Sequence, residues 1–172
     1  METGLKMSLT LEDAAALAGL EAMALASRDM TPAMEDIGLG RVTSTQRRFD
    51  TGIGPDGVPW PVSMRAAEEG GLTLVDSARL YGSITFEAGP QDVAWGTDVA
   101  YAGVHQDGAT IEAKGGGYMK FSLPGGGFAQ VRSVTIPARP FMGFDEEDAQ
   151  DSIAALSAFV TDAFGQARGA PQ

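Results

Sequence analysis

Glycine and proline set the limits on this fold. They crowd into TGIGPDGVPWP at residues 51–61, GGG at 115–117 and PGGG at 124–127, three places where no long helix or strand can pass. Long elements are therefore confined to the two ends of the chain, and the middle is left to short strands and turns.

At the N-terminal end, SLTLEDAAALAGLEAMALAS spaces Leu11, Ala14, Ala15, Ala18, Ala22 and Leu25 as one helical face. Ser8 or Thr10 is its expected cap, with Glu12 and Asp13 in the first turn. A second helix starts at TPAMED, with Thr31 as N-cap and Pro32 at the first helical position, and runs toward Arg48 despite Gly38 and Gly40. At the C-terminal end, a helix opens on Asp145 to Asp148, sets Ile153, Leu156, Val160 and Phe164 on one face, and frays over 165–172.

In the middle, Asp76 leads into a short helix, Ser77 to Tyr81, that passes straight into the strand SITFEA, and DVAWGT alternates as a second strand. A short helix or turn lies in VAYAGVHQDG. ATIEAKGGGYMKFSLPGGGFAQVRSVTI holds three β-leaning runs, read as two hairpins turning at the glycine triplets. The expected fold is α+β: two N-terminal helices, a mainly antiparallel sheet of about four to five strands, and a C-terminal helix packed on it. At 172 residues this makes one domain, 1–172, with Trp60, Trp95 and Tyr101 as structural anchors.

Composition excludes much chemistry. With no cysteine there is no disulfide framework, thiolate nucleophile or Cys-ligated metal. The expected chain is unprocessed, with no signal peptide and no apolar run of about 18 residues to span a membrane. A net charge of −11 disfavours stable binding to nucleic acid or anionic lipid, and the only basic cluster, Arg41, Arg47 and Arg48, reads as surface.

His105 is the single histidine, so a His/His metal pair is impossible and any serine triad must use this imidazole. Ser63, Ser77 and Ser83 sit in no GxSxG elbow, and neither a GxGxxG nor a GxxxxGK[ST] motif is present. Within DEED only pairs such as Asp145/Asp148 share a helical face, which suits a charged helix start better than a metal site. Neither a cofactor nor a catalytic residue is expected. The competing readings are a small hydrolase built on His105 with Asp107, and a monomeric module whose glycine-rich hairpins grip a ligand.

One stretch stands out. In IPARPFMGF, Pro137 and Pro140 stiffen the backbone around Arg139, with Phe141, Met142 and Phe144 seating the loop on apolar surface. Two uses stand open: Arg139 pairs with a carboxylate of its own chain, or the loop is a contact between subunits.

RRFDTGIGPDGVPW, LVDSARLYGSI, VAWGTDVAYAGVHQDG and TIPARPFMGFDEEDAQDSI, in that order, resemble the phage virion morphogenesis family of tail completion proteins, over about residues 28–160. The resemblance implies a structural role at the head-proximal end of a phage tail or at its joint with the head. It implies a homo-oligomeric ring, commonly a hexamer, that meets tail tube or tail terminator proteins and head–tail connector proteins. It implies assembly in the host cytoplasm and residence in the virion. It brings no catalytic residues, and it favours the intersubunit use of Arg139, Pro140, Phe141 and Phe144 against a neighbour's Asp145 and Asp148. The negative charge then either keeps the chain soluble or lines a lumen that repels passing DNA.

Overall fold

A computed structural model describes residues 14–169. Its axis is α2 (Thr31–Thr51), with Pro32 in the first turn, where its missing N–H is harmless. Thr31 is the first helical residue and not the cap: Asp29 Oδ1 accepts from the Thr31 N–H at 3.1 Å and from its hydroxyl at 2.6 Å. At the far end Gly52 turns into the left-handed region at φ 68°, and its N–H donates to the Arg48 carbonyl at 2.8 Å. Gly38 weakens the helix but is required by packing, since a Cβ there would collide with the Phe86 ring.

α1 (Ala14–Ala26) and α6 (Glu146–Gly169) pack against each other, and α6 also lies along α2. The expected caps of α1 at Ser8 or Thr10 lie outside the described residues. Its inward face is Ala15, Gly19, Ala22 and Ala26, with Gly19 against the Phe164 ring, while Ala14, Ala18 and Leu25 point outward. The expected face was rotated because alanine and leucine fill every side of this helix and give periodicity little contrast. On α6, Leu156, Val160 and Phe164 are half-buried but Ile153 is exposed, because the inward stripe begins at Asp148 and Ser152. The helix continues past residue 165 to Gly169.

The α+β class holds, but among the described residues the strands form three antiparallel two-stranded pairings in place of one sheet of four to five strands. β1 (Thr85–Ala88) pairs with β2 (Val93–Gly96) and lies on α2. β3 (Ala109–Glu112) pairs with β6 (Ser133–Ile136), and β4 (Met119–Ser122) with β5 (Phe128–Val131). The two expected hairpins are thus one long ribbon turning at PGGG. GGG belongs to a tight turn, Lys114–Gly116, that interrupts one arm, so that residues 113–118 stand opposite Arg132 alone.

Three short helices connect these pieces. α3 (Met64–Glu69), passed over by the sequence reading, is capped by Ser63 Oγ accepting from Ala66 N–H at 3.2 Å. α4 (Arg79–Gly82) starts later than expected and without Asp76 as cap; Ala78 precedes it at φ 58°. α5 (Ala102–Asp107) fills the expected place. The apolar core gathers Phe49, Trp60, Leu80, Ile84, Val99, Ala102 and Phe141, drawing on α2, α4, α5 and the loops at Trp60 and Phe141.

Candidate functional site

The stiff loop at 137–144 is where most of these elements converge. Gln106, at the end of α5, behaves as a piece of backbone. Its Oε1 accepts from the N–H groups of Phe141 (3.0 Å) and Met142 (2.9 Å), and its Nε2 donates to the Met142 carbonyl (2.9 Å). Trp60 Nε1 donates to the Pro140 carbonyl at 3.0 Å, and Arg48 Nη1 to the carbonyls of Phe141 and Gly143 at 3.2 and 3.1 Å. A loop satisfied so completely by side chains can lie inside the fold. Phe141 is 1% exposed, with its ring 5.1 Å from Phe49, which also meets Trp60 and Tyr81 edge-on.

Below the loop, the start of α6 is locked to α2. Asp145 Oδ1 accepts from the Asp148 N–H at 2.9 Å, and Asp148 Oδ2 accepts from the Asp145 N–H at 3.1 Å, a reciprocal helix cap. The same carboxylates face two arginines. Arg48 Nη2 lies 2.5 Å from Asp148 and 2.9 Å from Asp145, and Arg41 pairs with Asp148. Arg41, Arg48 and Asp148 are 2%, 4% and 1% exposed, so the basic cluster read as surface is largely interior. Only Arg47 stays outside, in a forked pair with Glu147.

Within one copy Phe141, Arg139 and Asp148 are all buried, and Asp148 is already met by Arg41 and Arg48 of its own chain. Asp145 and Pro140 are partly covered. Phe144 is half-exposed on the outer side, with Arg41 Cζ 5.0 Å above its ring and Trp95 6.4 Å away. Trp60 is an internal anchor, Trp95 is half-buried, and Tyr101 lies largely at the surface.

Burial by itself raises the carboxyls of Asp145 and Asp148. For Asp148 the Ser44 hydroxyl, the Asp145 backbone and Arg48 outweigh it; for Asp145 the Asp148 N–H and Arg48 do. Both are held below the ordinary value of 3.8. The unfolded chain therefore binds more protons in acid. The stabilisation is full above the unfolded pKa and is lost as pH falls through the folded values. The urea midpoint is expected to stay level from neutrality to about pH 5 and to drop steeply below about pH 4. Asp148→Asn should flatten that drop; identical acid slopes would mean that the pair does not titrate as described.

Arg139 meets no carboxylate of its own chain among the described residues. Its backbone N–H donates to the His105 carbonyl at 2.7 Å and its Nε to the Pro61 carbonyl at 2.7 Å. His105 touches Tyr101 edge-on at 5.8 Å, and its Nδ1 is buried without a partner. Burial first, then the Arg139 charge, holds the imidazole below its ordinary pKa. No hydrogen bond joins the ring to Asp107, Ser63 or Ser77 among the described residues, so the contacts of a serine triad are not assembled here. Nor do three or more His, Asp or Glu cluster as metal ligands among those residues.

The chain is 29% identical over 132 residues, 77% of its own length and 79% of the relative's, to the Mu-like prophage FluMu G protein 2 of Haemophilus influenzae. No solved structure matches. The family model described as the phage virion morphogenesis family matches residues 11–160, so the chain belongs to that family.

Proposed function

We propose that this protein is a non-enzymatic, ring-forming subunit that completes the phage tail at its head-proximal end, between the tail tube and the head–tail connector. Family membership supports a role in building the virion. The observation that carries the ring is α1. Its sequence, AAALAGLEAMALA, is apolar apart from Glu21, yet only Gly19 is buried, and Leu17, Leu20 and Leu25 are 50%, 52% and 66% exposed. A helix this apolar belongs in an interior. In a ring, that interior is completed by a different surface of the neighbouring copy.

No helix among the described residues is long and apolar enough to cross a membrane. The exposed leucines are therefore assigned to protein contact, with the protein assembling in the host cytoplasm and ending in the tail. The double variant Leu17→Ser/Leu20→Ser should leave the melting temperature within a few degrees of wild type, because both side chains lie outside the core. It should abolish the defined oligomer that wild type forms alone or on purified tail tubes, read by light scattering and electron microscopy. An unchanged oligomer in the variant, or a wild type that stays monomeric with and without tubes, would sink the proposal.

A further inference from the structure

A second feature lies apart from the α1 face. Between α3, the loop before α4, α5 and the start of the stiff loop is an open cleft of about 410 Å³, lined by Arg65, Asp76, Arg79, Tyr101, His105 and Arg139 among others. In a chain of net charge −11 it gathers three arginines against one acid. Arg65 is occupied: it donates to the carbonyls of Gly70, Leu72 and Val75 and lies 3.6 Å from Asp76.

Arg79 and Arg139 are not occupied in this way. Neither has an acidic partner among the described residues, and Arg139 is 94% buried with only its Nε bonded, to the Pro61 carbonyl. The Arg139 guanidinium opens onto the cleft with no counter-charge of its own chain beside it, which favours a ligand that supplies one. The only two non-glycine residues with positive φ among those described, Leu74 at 66° and Ala78 at 58°, both border this cleft. Strain of that kind gathers where a loop is held in shape for a ligand.

We propose that the cleft seats a carboxylate presented by a partner polypeptide, paired with Arg139 and Arg79 and flanked by Tyr101 and His105. A guanidinium with free Nη donors matches a planar carboxylate through paired hydrogen bonds. The leucine and tyrosine walls suit a single acidic side chain or chain end. An extended polyanion would instead meet the repulsive field of the remaining surface. The site does not depend on the ring: it survives if the α1 variant leaves assembly unchanged, and it fails on its own terms.

The lone histidine makes the test direct, because its imidazole gives a single NMR signal inside the cleft. The full chain is titrated with a capped peptide in which one glutamate is flanked by glycines, so that it offers a single carboxylate, and, separately, with inorganic phosphate. Wild type should show a saturable imidazole shift with the peptide and a weaker response to phosphate. Arg79→Gln, an exposed change that breaks no contact of the fold, should weaken peptide binding about tenfold. Arg139→Gln should abolish it. Saturating peptide should leave the mass of the oligomer unchanged; a fall in mass would mean that a second copy fills the cleft and would overturn its assignment to a different partner chain. No saturable shift, equal affinity in wild type and Arg79→Gln, or phosphate binding as tightly as the peptide would each overturn the proposal.

Discussion

Asp148→Asn is expected to destabilise the protein by about 3–5 kcal/mol, a large share of the roughly 5–15 kcal/mol that holds a domain together. The charges at the α2–α6 junction balance as two arginines, Arg41 and Arg48, against two carboxylates, Asp145 and Asp148. Removing the more buried carboxylate keeps the shape but leaves two interior guanidinium groups to share Asp145, which reaches only Arg48. It also weakens the helix cap, because the Asp145 N–H loses its charged acceptor. The comparison is Glu147→Gln, one residue away: its partner Arg47 is half-exposed, and a surface pair contributes about 0–1 kcal/mol. Urea unfolding should show the Asp148→Asn midpoint far below that of Glu147→Gln at equal slope. A loss under about 1 kcal/mol for Asp148→Asn would mean that water reaches the arginines and the junction is not a dry clasp.

What the sequence discloses follows the range of the interaction. Helices α2 and α6 are legible because apolar spacing, Pro32 and the acidic first turn act within a few residues. Trp60 is legible as an anchor because prolines on both sides leave it little freedom. That Asp145 and Asp148 share a face also follows from spacing, and they do cap one another.

What meets them is hidden, since Arg48 lies 100 positions from Asp148 and charge alone sends an arginine to the surface. The available signal was spacing: Arg41 and Arg48 are seven residues apart, on the stripe that carries Met34, Ile37 and Thr45. The ribbon is hidden for a related reason. A glycine triplet signals a break in a strand but does not say whether the chain reverses there or is merely interrupted, which depends on the partner strand. The role of the stiff loop turned on Gln106, whose side chain contacts are not encoded near the loop at all.

Phe141→Ala separates the loop as an internal bolt from the loop as a subunit contact. The ring is 1% exposed and sits 5.1 Å from Phe49, at the point where the hydrogen bonds of Gln106 and Arg48 converge. Emptying such a position costs about 3–5 kcal/mol, the lost burial plus the cavity left behind. The variant should therefore melt far below wild type or accumulate unfolded, at any protein concentration. Phe144→Ala, three residues on, removes a ring that is 52% exposed and loses mainly its contact with Arg41, about 1 kcal/mol. The two replacements remove the same group from the same loop, so the contrast isolates burial. Were the loop an intersubunit contact, the order would reverse: Phe144→Ala would dissociate the oligomer while Phe141→Ala melted like wild type. That pattern would return the loop to the surface and undo the core described here.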